Sequence, residues 1–392
     1  MATSSNAPDP EAAADIPPSK PLQIFLLVAL LVSGAAYVAD EWTQLYAPHH
    51  ERPDRLHRLV ESRSEYPSHM EAGITALRNK QYDKAAEDFR LALQAQNSGE
   101  AHYNLAIAML KLSRPEEAAA QFREAIKLNP HYTDVYLTWG QALLDEGKPD
   151  EAAHAFHEAL RISPNSGAAH FDLALATLEE EKAAAAEQRS AETDGRSADA
   201  ATAGAKVERW QTDALQQFAQ AQRCGFDRSD FWLSYGRLLA ALRKDAEAES
   251  YLRKATLDKP ELAEAHFALA GVERQLGKEA DAIAQYQATL ALRADDPAAL
   301  EGLGLLYATA TNADLRSPKM AVQLATRAND ATTAQNPRFL DTLARCYAAD
   351  GDFLQAQNWE QQAIHRAEQI RDVPLLRELR PRATLFNQHK TE

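Results

Sequence analysis

Apolar positions repeat with a fixed period through residues 101–166. The stretch reads AHYNLAIAMLKLSRPEEAAAQFREAIKLNPHY and then TDVYLTWGQALLDEGKPDEAAHAFHEALRISPNS. Displacing one half by 34 residues sets Leu105 on Trp139, Ala106 on Gly140, Ala118 on Ala152, Phe122 on Phe156, Ala125 on Ala159 and Pro130 on Pro164. Each half holds two apolar segments of about 14 residues with helical spacing, parted by a polar turn. Arg114 with Pro115, Gly147 with Pro149, and Gly277 supply such turns, where Gly and Pro end one helix and start the next. The pattern predicts an all-α solenoid of helical hairpins.

The same phase extends in both directions. Gly73, Ala85, Phe89 and Ala92 mark an earlier unit. Downstream come Trp232, Tyr235, Gly236, Ala248 and Leu252; then Leu269, Ala270, Ala282 and Tyr286; then Leu300, Leu303 and Gly304; then Leu343, Ala344, Ala356 and Ala363. About eight hairpins are expected over residues 68–370, with a capping helix and tail at 371–392. The fourth unit departs from the phase. Its partner positions Ala174 and Ala214 lie 40 residues apart where regular units need 12. The insertion, 179–210, predicts two lengthened helices, with a loop over 193–204.

A different pattern precedes the repeats. Residues 22–39 read LQIFLLVALLVSGAAYVA without a charge. At 1.5 Å per residue they span roughly 27 Å, enough to cross a bilayer core. The sequence therefore predicts a disordered tail over 1–20, a transmembrane helix over 21–40 and a juxtamembrane linker over 41–67. A short helix from Pro53 is expected within that linker. Trp42 and Tyr46 suit the interface. Lys20 on one side and Asp40 and Glu41 on the other favour a non-cytoplasmic, periplasmic side for the repeats. Cleavage after Ala35 would instead make a secreted soluble binder.

Charge narrows the function. Net charge is −15, from 42 Lys and Arg against 57 Asp and Glu, which opposes nucleic-acid binding. Two cysteines, Cys224 and Cys346, form no metal spacing and read as buried small side chains. His154, His157 and Glu158 have the wrong order for a zinc-protease helix. Gly302 and Gly304 give a GxG inside a helix that follows no strand, which argues against phosphate binding. No catalytic residue, cofactor, metal or small-molecule substrate is predicted, and the chain is expected not to be an enzyme.

The units resemble the tetratricopeptide repeat. That pattern wants a large residue, Leu-Gly and an aromatic on the first helix, then Ala, an aromatic and Ala on the second, with Pro closing the unit. Leu105 to Pro130 and Trp139 to Pro164 carry it at nearly every place. The resemblance implies a right-handed superhelix that binds proteins or peptides in a groove lined by first helices. On this chain the groove would present Tyr103, Asn104, Ile107, Leu137, Gln141, Phe171 and Leu175. Relatives that clamp a peptide carboxylate use lysine and arginine where Leu137 and Gln141 stand, so that mode is not expected. The expectation is a membrane-anchored scaffold, an assembly or chaperone-like adaptor, holding a protein partner. A non-catalytic subunit of an enzyme complex is the alternative.

Overall fold

Small residues at helical spacing let two helices approach closely, and large ones fill the next layer. The computed structural model describes residues 53–332 and 336–391, with side chains from residue 65 onward. Among them it has seventeen α-helices, one 3-10 turn and no strand. The chain divides into two compact units, Met1–Leu112 and Ser113–Glu392.

The first unit holds α1 (Pro53–Arg78), α2 (Tyr82–Ala95) and α3 (Gly99–Lys111). The apolar segment 22–39, with the tail and anchor predicted around it, lies outside the described residues. Among the described residues, no helix is long and apolar enough to cross a membrane. A short linker helix ending before the repeats is corrected: α1 runs unbroken through Pro67 into the first repeat. Proline removes one backbone donor from a helix. Packing holds the two sides of Pro67 in one helix. Tyr66 Oη and Ser98 Oγ lie 2.7 Å apart on one side, and Met70, Gly73 and Ala76 are buried on the other. A Cβ on Gly73 would stand 2.5 Å from the Phe89 ring, so α1 and α2 meet only because that carbon is absent.

The second unit starts with α4 (Pro115–Leu128). Hairpins follow: α5 (Thr133–Asp145) with α6 (Pro149–Ile162), and α7 (Gly167–Thr193) with α8 (Ser197–Arg223). Next come α9 (Ser229–Ala241) with α10 (Asp245–Asp258), and α11 (Ala263–Gln275) with α12 (Glu279–Leu292). The last are α13 (Pro297–Thr309) with α14 (Pro318–Ala331), and α15 (Pro337–Ala349) with α16 (Phe353–Gln369). Helix α17 (Val373–Asn387) packs on α16 and buries Leu375, Leu379 and Phe386. It covers the apolar face that the last hairpin would leave bare.

Local chemistry sets these boundaries. Ser166 Oγ accepts from Ala169 N at 3.2 Å and Asp296 Oδ1 from Ala299 N at 3.0 Å, capping α7 and α13. Pro149 and Pro318 occupy first-turn positions where no donor is wanted. Gly147 and Gly277 turn the chain at φ 71° and 73°, and Arg243 takes the same left-handed place at φ 60°.

The insertion forms a helical pair, but the loop expected over 193–204 is corrected. Only Asp194, Gly195 and Arg196 leave the helices, with Gly195 at φ 72°. Alanine-rich sequence after Ser197 favours helix and overrides the turn signal. The pair is closed by buried Ala184, Ala191, Ala200 and Ala203, and tied by Lys206 Nζ to Glu187 at 3.0 Å. Both helices have 27 residues, about 40 Å, against roughly 20 Å for the regular ones.

The capping region buries charge. Glu360 on α16 is fully buried and Asp341 on α15 nearly so. Arg382 on α17 donates to Asp341. Burial and then the neighbouring Asp341 push the Glu360 carboxyl up to about 9, which favours its protonated form at neutral pH. Glu273 on α11, also fully buried, is pushed up to about 7 by burial despite Arg253 Nη2 at 2.7 Å.

Two outcomes follow. Gly140→Leu drives a side chain into the Phe156 ring and should lower stability by roughly 1–3 kcal/mol. An unchanged denaturation midpoint would remove the close approach from the account. Glu360, raised in the folded state, binds its proton there more tightly than in the unfolded chain. Stability should therefore fall as pH climbs from the ordinary value of 4.5 towards about 9. Glu360→Gln keeps a neutral group and should flatten that slope in thermal melts across this range; an equally steep slope would refute the assignment.

Candidate binding clefts

The residues expected to line a groove fall in both units. Tyr103, Asn104 and Ile107 are half-buried on α3, and Asn104 Nδ2 donates back to the Glu100 carbonyl at 2.9 Å. In the second unit, Leu137 on α5 packs partly against core residues and borders a shallow cleft of 700 Å³ with Tyr132, Asp134, Pro164 and Asn165. Gln141, exposed, donates from Nε2 to Asp172 Oδ2 at 2.9 Å. Burial pushes the Asp172 carboxyl up to about 6, while the Gln141 bond lowers it.

Phe171 is corrected. It is buried, not open to a groove, and sits at the centre of an aromatic cluster on α7–α9. Its ring centroid lies 5.1 Å from Phe226, 6.1 Å from Phe218 and 6.0 Å from Phe231. Leu175, half-buried, packs against the same cluster. The insertion explains the displacement, because α8 returns Phe218, and the turn after it Phe226, beside Phe171. A one-dimensional phase carries no signal for that.

A second cleft, of 450 Å³, opens between α9 and α11, the first helices of consecutive hairpins. Its floor is small: Ala240, Ala268 and Gly271, where an added Cβ would meet nothing within 4 Å. Phe267 stands in it 36% exposed, its edge on Tyr286 with centroids 5.9 Å apart. Around it stand Arg237 from α9, Arg243 from the turn, Arg274 from α11 and Arg293 beyond α12. Arg293 pairs with Glu264 and Arg243 Nη2 reaches Gln275 Oε1 at 3.3 Å. Phe267 stands on the first helix of its hairpin, and the arginines come from four places that adjoin only once the hairpins stack, so the repeat spacing carries no signal for them.

Two histidines are structural. Nε2 of His170 meets the Pro164 carbonyl at 3.1 Å and Nδ1 meets Gln217 at 2.8 Å. His266 repeats this with Pro260 at 3.0 Å and Gln285 at 2.7 Å. Each ties the turn between hairpins to a second helix. Cys346 is buried, with its thiol pushed up to about 12 by burial, and Cys224 is half-buried.

A search of curated proteins finds no match. Among solved structures, the tetratricopeptide protein YrrB, described as having an unusual peptide-binding site, is 18% identical. The match covers 54% of this chain and 92% of that one, with a TM-score of 0.42. PilF of Pseudomonas aeruginosa is 21% identical over 64% of this chain and 96% of its own, with a TM-score of 0.46. Cut9 with Hcn1 of the APC/C is 14% identical over 79% and 54%, with a TM-score of 0.48. Two models described as tetratricopeptide repeat match, one over residues 58–133 and 236–297 and the other over 133–166. Residues 58–166 and 236–297 thus carry tetratricopeptide repeats within an all-helical, solenoid-type chain.

Proposed function

We propose that this chain is a non-catalytic scaffold, tethered to a membrane through residues 21–40, that holds a protein or peptide segment against the first helices of its hairpins. The observation that carries it is the cleft between α9 and α11. It has a floor of small residues, an exposed Phe267 and a polar rim, so an extended chain can lie on the floor and set side chains to either side. The uncharged stretch 22–39 supports the tether. Confinement to a membrane surface raises the effective concentration for partners on the same membrane. An assembly or chaperone-like adaptor whose repeats lie on the non-cytoplasmic, periplasmic side fits these features.

Carbonate extraction of membranes should leave the full chain in the pellet, and deletion of residues 21–40 should release it. Added protease should digest the repeats in spheroplasts but not in inverted vesicles. The full-length chain in the soluble fraction would refute the tether, and the reverse protease pattern would refute the side. Crosslinking in intact membranes should trap a protein partner at Phe267 replaced by a photoreactive residue; no crosslinked species at that position would refute the cleft as the binding face.

A further inference from the structure

Four arginines gathered on one cleft of a strongly acidic chain point to the chemistry of a ligand. The chain carries −15 overall, yet four arginines converge on the cleft between α9 and α11. Three acids stand there too, and two are already engaged. Asp296 caps α13, accepting from Ala299 N at 3.0 Å. Glu264 takes Arg293, and its own backbone amide and Arg293 hold it below its ordinary range. The remaining acid, Asp245, lies 4.0 Å from Arg243 Nε. Arg237 is exposed and, short of a direct ion pair, helps Arg293 hold the Glu264 carboxyl down. Arg274 is half-buried with an unpartnered Nε and is tied to Tyr286, so its charge is held in place.

Arg243 enters the cleft from the turn between α9 and α10. The equivalent turn place is filled by Gly147 and Gly277 at φ 71° and 73° and by Lys80 and Ser113 at φ 58° and 59°. Arg243 adopts φ 60° there, a conformation unfavourable for a residue with a Cβ. Its guanidinium reaches the cleft from that turn.

We infer that this cleft recognises an acidic segment of a partner protein, with carboxylates meeting Arg237, Arg243 and Arg274 around an apolar side chain laid on Phe267. This rests on the scaffold reading above and names its partner's chemistry. Guanidinium groups suit carboxylates because their donors form a planar fork. The acidity of the rest of the chain disfavours a nucleic-acid strand, whose phosphates would be repelled outside this cleft. An acidic protein segment needs only the few arginines present.

The test uses the full chain in detergent and fluorescein-labelled twelve-residue peptides of Asp and Glu around a central Leu. The control peptides carry Asn and Gln in place of the acids, and a single-stranded oligonucleotide of equal length serves as a further arm. Binding should be confined to the acidic peptide and should weaken as salt shortens the Debye length. Arg237→Glu should reduce affinity by about tenfold or more. Arg243→Gly should reduce it too while leaving the thermal midpoint equal or higher, because glycine relieves the left-handed turn. That variant separates loss of binding from loss of folding. Equal binding of the amide peptide would overturn acidic selectivity and leave the scaffold reading standing. Binding by none of the peptides would overturn both readings for this cleft. Tighter binding of the oligonucleotide, or unchanged affinity in both variants, would overturn the inference.

Discussion

The fold depends on contacts between a residue with little or no side chain and a large group one layer away. A Cβ on Gly140 would stand 2.4 Å from the Phe156 ring, and one on Gly236 would come within 2.7 Å of Leu252. Gly302 meets the Tyr286 ring at 2.5 Å in the same way, now across neighbouring hairpins. The helices on either side are amphipathic, and their large side chains, Phe122, Phe156, Phe218 and Leu252, are fully buried. The small residue sets how near two helix axes come, and the large one then has a single space to fill. Close packing makes both sizes matter, because interiors tolerate neither a void nor an extra methylene cheaply.

That coupling is why so much of the fold was legible. Gly and Ala alternate with Phe at fixed separations, and the spacing alone reveals hairpins, their turns and the capping helix. The departures were physical rather than accidental. Pro67 reads as a boundary because proline is unfavourable inside a helix. The Tyr66–Ser98 contact and the buried Met70 and Ala76 nevertheless fix both sides in one helix. The segment 193–204 reads as a loop because Thr, Asp and Gly cluster at its start, yet seven of its last eight residues are Ser, Ala, Thr or Asp with four alanines among them, and partner alanines across the pair settle it as helix. Phe171 has the phase of an outward residue, but the returning α8 surrounds it with other aromatics. The arginine cleft was not legible at all, since Arg237, Arg243, Arg274 and Arg293 share no spacing and meet only in three dimensions.

Charge is placed by the same layering. A solenoid has little interior, and acids buried there can stay only if paired or protonated. Glu273 is met by Arg253 from the neighbouring helix, and Asp341 by Arg382 of the capping helix. Glu360 has no hydrogen-bond partner on either oxygen among the described residues, and burial beside Asp341 favours its protonated, neutral form. Removing one partner from such a site leaves an uncompensated charge, a strongly destabilising change. The end of the array is therefore sealed by specific polar contacts as well as by Leu375, Leu379 and Phe386.

The insertion explains why the α9–α11 cleft retains regular geometry despite a break in the sequence upstream. Helix α7 has 27 residues where α5 has 13, and α8 has 27 where α6 has 14. Ala214 and Phe218 lie 62 residues beyond Ala152 and Phe156, one 34-residue period plus 28, and both hairpins turn through three residues, so each helix of the pair carries 14 extra residues, close to four turns at 3.6 residues per turn. A near-integral number of turns brings each helix back to the array on the face from which it departed. Ala214 and Phe218 can then occupy the places that Ala152 and Phe156 hold in the preceding hairpin, and all four are fully buried. An insertion of five or six residues per helix would rotate the returning face by about half a turn and expose Phe218. The length of the excursion is thus constrained by the helical repeat, and the register that α9 to α12 need to assemble the arginine cleft passes through it unchanged.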